Sequence, residues 1–158
     1  MISVIATCAA LVESNAVAQN KLNENLEGYY ASPSKLCTKF NREKDKFESC
    51  EKESTDCLLI KKIDEEDFEI EVYSTQANQH VCALNGIGKV KNGELVYSFG
   101  TDADSQEIEF TKKGKSVLLK QKILPGQDSE NCGAHARFEG LRFLKKTSDP
   151  RNYSCFKG

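Results

Sequence analysis

Tryptophan is absent from the 158-residue sequence, methionine occurs once, histidine twice and proline three times. Lysine and arginine number 22 against 24 aspartates and glutamates, a net charge of −2. With no overall basic field, nucleic acid and anionic membrane are disfavoured as general partners. Long apolar runs are missing too: Ile2 to Val12 is charge-free and mostly apolar, but it falls short of the ~20 residues needed to span a bilayer. No transmembrane segment is expected. The patterns G-x-S-x-G, H-E-x-x-H and G-x-x-x-x-G-K-[ST] do not occur, which removes the common signatures of serine hydrolases, zinc proteases and phosphate-binding loops. No repeat or linker divides the chain, and 39% hydrophobic residues at this length fit one domain.

Cysteine, by contrast, is plentiful. Seven residues are about 4% of the chain, above ordinary cytosolic usage and below the ~8–10% of a minimal disulfide scaffold. Ile2 to Val12 followed by Ala16-Val17-Ala18 has the form of a secretory h-region and its A-x-A cleavage site. Residues 1–18 are therefore expected to be a signal peptide. No Lys or Arg precedes Lys21, and the preferred explanation is a start codon upstream of Met1. Cleavage after Ala18 would remove Cys8 and leave six cysteines: Cys37, Cys50, Cys57, Cys82, Cys132 and Cys155. An even number in an exported chain predicts three disulfides, with fifteen pairings open. The expected location is periplasmic or extracellular.

Residues 19–56 form a polar N-terminal arm containing a first strand at Tyr29-Tyr30, with the charge-dense run from Lys39 to Glu53 read as a loop or short helix pinned by Cys37 and Cys50. Residues 57–158 form a β-rich body that makes one domain with the arm. Leu58 to Ile63 is rich in β-formers, and Phe68, Ile70 and Val72 alternate with Glu69, Glu71 and Tyr73, the period of a half-buried strand. Gly86 and Gly88 suggest a bend. Asn92-Gly93 between apolar runs is the strongest short hairpin signal, because a type I′ turn needs positive φ at both central residues. Ile108 and Phe110 lead through Lys112-Lys113-Gly114-Lys115 into a second hairpin, and Ala134 to Phe143 again reads as extended. The fold class is mainly β: one antiparallel meander or small closed barrel of about eight strands, with a disulfide-braced N-terminal arm.

The residues with chemical shape are His80-Val81-Cys82 and Cys132-Gly133-Ala134-His135. Two cysteines and two histidines could surround zinc tetrahedrally if the segments are neighbours. In an oxidising compartment a Cys82–Cys132 disulfide joining two strands is preferred, and a bridged sulfur is no nucleophile. No catalytic residue, metal or cofactor is expected. Asn152-Tyr153-Ser154 has the form of an N-glycosylation acceptor.

His80-x-Cys82-x-x-x-Gly86, Cys132-Gly133-x-His135-Ala136 and Gly140-x-x-Phe143 together resemble the pattern of small exported bacterial β-barrel proteins of the lysozyme-inhibitor-like type. The likeness covers about residues 57 to 145. It implies a compact barrel in the cell envelope and no enzymatic activity. Ser105-Gln106-Glu107 stands where such proteins often carry a further cysteine, and the Ser-Gly loop motif of inhibitors of c-type lysozyme is absent, so no inhibitory residue is carried over.

The function expected from these observations is an exported, non-enzymatic binding module acting on a cell-wall hydrolase such as a lysozyme, or on an envelope component. The acidic turn Asp64-Glu65-Glu66-Asp67 is the candidate contact with a basic partner, together with the stretch from Asp102 to Glu109. The alternative is a lipocalin-like barrel holding a small molecule, suggested by Gly28-Tyr29-Tyr30 near the start of the arm.

Overall fold

The computed structural model describes residues 26–156 apart from positions 38, 45, 49, 51, 77–79, 102–104, 124–126, 128, 130 and 135, and without the side chains of 36, 39, 40, 46, 47, 52 and 53. The proposed signal peptide, Cys8 and His135 lie outside the described residues. Ten strands follow in order: β1 Gly28–Leu36, β2 Lys39–Asn41, β3 Lys46–Glu48, β4 Lys52–Lys62, β5 Asp67–Thr75, β6 Val81–Lys91, β7 Glu94–Phe99, β8 Gln106–Lys113, β9 Ser116–Lys122 and β10 Arg142–Thr147. Eight of them close a barrel in the order β1-β10-β9-β8-β7-β6-β5-β4, while β2 and β3 form a separate two-stranded sheet. Every ladder is antiparallel. The expected eight-strand barrel is thus the observed fold.

Period-two patterning explains which side chains fill the barrel. On β5, Phe68, Ile70 and Val72 point inward and are fully buried, as are Leu58 and Ile60 on β4 and Ile108 on β8. Tyr30, Phe110, Phe138 and Phe143 join them in one continuous core. Each of these side chains contributes about 1.5–3 kcal/mol by leaving water. Turn chemistry sets the register. Asn92 and Gly93 both have positive φ, 53° and 81°, and link Lys91 to Glu94 in the type I′ hairpin between β6 and β7. At the next hairpin Gly114 takes the positive φ, 59°, ahead of Lys115.

Four local expectations change. The arm is part of the barrel wall: β1 pairs with β4 from Gly28↔Ile60 to Leu36↔Lys52, and β4 itself runs across residue 56. The Lys39 to Glu53 run is a hairpin rather than a loop or helix, with Phe40 opposite Phe47 and Cys37 bonded to Cys50. Gly86 and Gly88 do not bend the chain, since β6 continues through both. They sit where an added Cβ would collide with the Tyr97 ring and with Ile70 respectively, so their smallness admits side chains from β7 and β5. Finally, the segment from Ala134 to Leu141 is not extended. Asn131 and Gly140 adopt positive φ, and the turns between them lower Phe138 into the end of the barrel, where it is fully buried. Alternation cannot distinguish such a plug from a strand, because both place an apolar residue between polar ones.

After β10 the chain turns back over the outside of the barrel. Cys155 is bonded to Cys57 on β4, the Tyr153 ring stacks on Tyr29 with centroids 4.4 Å apart, and Phe156 meets Tyr73 edge-on at 6.1 Å. Among the described residues no helix is long and apolar enough to cross a membrane.

Candidate functional site

With the lumen filled, chemistry and recognition are confined to the two rims and the outer wall. One rim carries the disulfide that the sequence singled out. Cys82 begins the inward series of β6, and Cys132 reaches it through an isolated bridge, held by the Gly133 N–H donating to Val81 O at 2.8 Å and the Ala83 N–H donating to Asn131 O at 2.9 Å. The two sulfurs are bonded to each other, so neither is available as a thiolate for zinc or for attack. His80 packs against Gly133, where an added Cβ would lie 2.6 Å from His80 Nδ1. No group of three His, Cys, Asp or Glu side chains among the described residues is placed to hold a metal ion.

Polar side chains tie the plug to this rim. The Gln121 amide donates to Ser129 Oγ at 2.6 Å and to Gln106 Oε1 at 3.2 Å, while its oxygen accepts the Phe138 N–H at 3.1 Å. Gln76 donates to Arg137 O and accepts the Arg137 N–H. Each buried polar atom is satisfied locally, which makes the network a clasp on residues 129–138.

The opposite rim carries the turns β4–β5, β6–β7 and β8–β9. In the acidic turn, Asp64 Oδ1 accepts the N–H groups of Glu66 at 2.9 Å and Asp67 at 2.8 Å, and these bonds hold its carboxyl below the usual aspartate range. The Lys89 ammonium lies 2.9 Å from Asp67 Oδ1, and that hydrogen bond raises the lysine above its ordinary value. Two of the four predicted contact residues are therefore engaged within the protein, which leaves Glu65 and Glu66 exposed at the tip. Of the second acidic stretch, residues 102–104 lie outside the described residues. Glu107 faces the outer wall, where the Lys91 ammonium at 2.8 Å and then Ser98 hold its carboxyl low.

Half of the barrel circumference away is a feature that the sequence reading missed. Lys112 on β8 and Lys145 on β10 occupy the inward positions that follow Phe110 and Phe143 and close their apolar alternation at the rim. Their ammonium groups lie 5.5 and 5.6 Å from the centroid of the Tyr30 ring. Burial lowers both lysines from their ordinary value; the charge of Lys145 depresses Lys112 further, and Glu27 partly offsets the effect on Lys145. The signal was present in the sequence as the period of two, which assigns Lys112 and Lys145 to the same face as the phenylalanines.

No protein-family model matches the chain, and no curated protein or solved structure matches it either.

Proposed function

We propose that this protein is an exported, non-enzymatic binding module that works through the rims and outer wall of a filled barrel, with a lysozyme-type hydrolase or another envelope component as its partner. The observation that carries this reading is the packed lumen. Tyr30, Phe68, Phe110, Phe138 and Phe143 are fully buried in it, and the clasped plug covers one end. A barrel built in this way displays loops on a rigid frame, and rigid frames spare a binding loop the entropy of ordering. Three disulfides support residence in an oxidising compartment. The lipocalin-like alternative draws support from strand number and topology, but the same aromatic side chains occupy the volume its ligand would need.

The acidic turn is the contact favoured for a basic hydrolase. Asp64 fixes its backbone, and Glu65 and Glu66 project at the tip, where electrostatics speeds encounter more than it tightens the complex. Titrating the disulfide-bonded protein into a bacterial-cell lysis assay with lysozymes of several classes tests the reading. Dose-dependent inhibition of one class, weakened in a Glu65→Lys/Glu66→Lys double variant, is expected. Full lysis by every class at protein excess removes the inhibitor reading.

A further inference from the structure

The rim opposite the acidic turn holds a cavity of about 190 Å³ lined by Leu26, Gly93, Glu94, Phe110, Thr111 and Lys112. We propose that this mouth is an anion-binding subsite for a doubly charged phosphate monoester group, with the Lys112 ammonium as its direct contact and Lys145 as the second positive charge. The proposal does not rest on export or on lysozyme binding.

Placement of charge is the first argument. Elsewhere on the barrel the lysines are matched with carboxylates: Lys61 with Glu69, Lys89 with Asp67, Lys91 with Glu107 and Lys122 with Glu109. Around this mouth the pattern breaks. Lys113 and Lys115 are exposed on the β8–β9 turn and form no ion pair among the described residues, and Lys112 and Lys145 converge on one aromatic ring. Two ammonium groups gathered in a half-buried mouth repel each other, and a dianion between or beside them reverses the sign of that interaction.

The second argument concerns the wall. Thr111 Oγ1 is buried without a hydrogen-bond partner among the described residues and belongs to a residue lining the same cavity, so it is a polar atom with an unmet capacity. Glu94 on the rim opposes an anion, and Glu27 acts on Lys145 in the same sense. Lys112, Lys145, Lys113 and Lys115 outnumber them. Partial desolvation of Lys112 and Lys145 strengthens their pull on an incoming anion relative to a lysine in open water, as the depressed values of both indicate.

The test is a titration of the folded, disulfide-bonded protein with inorganic phosphate against chloride at constant ionic strength, followed by amide and lysine Nζ NMR shifts. Saturable shifts at Gly93, Lys112 and Lys145 are expected, with a dissociation constant on the order of millimolar. Lys112→Gln should weaken binding about tenfold or more, the loss expected for one charge-assisted contact, whereas Lys122→Gln on the outer wall should not. Non-saturating shifts, or equal responses in the two variants, mean an adventitious ion only and overturn the proposal. Acetylation of the wild-type lysines gives a check that needs no variant: phosphate should protect Lys112 and Lys145 selectively, and uniform protection of all lysines again overturns it. Vesicles containing phosphatidate, compared with phosphatidylcholine alone, separate the sources. Retention that depends on Lys112 assigns a lipid headgroup, and saturable phosphate binding without retention assigns a soluble monoester.

Discussion

Cys155 ties the end of the described chain to Cys57 on the outer face of β4, and the same residue donates its backbone N–H to Glu71 Oε2 at 2.7 Å. Ser154 Oγ donates to that oxygen at 3.0 Å. A carboxylate on the outer wall is thereby almost fully covered, at 6% exposure, and the tail is a strap held by one covalent and two hydrogen bonds. The bridge closes a sequence separation of 98 residues, and a loop of that length restricts the unfolded chain by about 4–5 kcal/mol in the chain-entropy description. A Cys57→Ser/Cys155→Ser double variant should therefore lose several degrees in Tm while keeping its far-ultraviolet signature of β-sheet. The Tyr29–Tyr153 stack should loosen with it. Near-ultraviolet circular dichroism, uncomplicated by tryptophan, reads that loss, and an unchanged tyrosine band in the double variant would show that the strap stays down without its bridge.

Phe138 closes the disulfide-bearing rim from a stretch of turns, with no strand ladder behind it. Its ring is fully buried, and its position depends on the Gln121 clasp at 3.1 Å. Phe138→Ala should cost about 3–5 kcal/mol, the range for emptying a buried aromatic site. Gln121→Ala should cost less, about 1–3 kcal/mol, because it strands the Phe138 N–H without removing the ring. Urea unfolding of both variants measures the ordering, and a Phe138→Ala midpoint equal to wild type would mean that the plug is not part of the cooperative core.

The barrel was legible because its physics is local. Alternation at Phe68, Ile70 and Val72 fixed a strand and its inward face, and Asn92-Gly93 fixed a hairpin. The pairing of Cys82 with Cys132 followed from compartment chemistry and is the bridge observed. What stayed hidden depends on residues far apart in the chain. Nothing near Cys57 says that its partner is Cys155, since fifteen pairings are equal in sequence, and only the barrel's closure brings the tail over β4. Lys112 and Lys145 were read as turn and surface charges because lysine is seldom buried. The strict alternation from Ile108 through Phe110 to Lys112 already placed one of them inside.

Asp64 sets the acid sensitivity of its turn. The N–H groups of Glu66 and Asp67 donate to its carboxylate and lower it below the ordinary aspartate value of 3.8, with Lys89 and Lys62 adding attraction. A carboxyl lowered in the fold stabilises the folded state above the unfolded value, and that contribution disappears as pH falls through the folded one. The turn should accordingly loosen below pH 3.8. The amide signals of Glu66 and Asp67 should move together on acidification in the wild type and lose that transition in Asp64→Ala. An Asp64→Ala variant with the same acid transition would assign it to another carboxyl.

Tyr30 makes the opposite prediction at alkaline pH. Its phenol lies within the barrel mouth and donates to Leu26 O at 2.5 Å, and burial raises it above the ordinary tyrosine value of 10.0. The lysine ammonium groups sit 5.5 and 5.6 Å from its ring centroid, so the barrier to ionisation is loss of hydration at the hydroxyl. A raised acid contributes stability in full below the unfolded value, and the contribution is lost as pH rises toward the folded one. Between those limits the unfolded chain gains from ionising Tyr30 and the folded chain does not. In the folded protein, wild type and Tyr30→Phe should therefore show the same absorbance change at ~295 nm up to about pH 11, because the buried phenol stays protonated. The difference of one tyrosine should emerge only with unfolding. A wild-type excess of one phenolate while the near-ultraviolet circular dichroism remains native would place the Tyr30 hydroxyl in contact with water and open the mouth of the barrel.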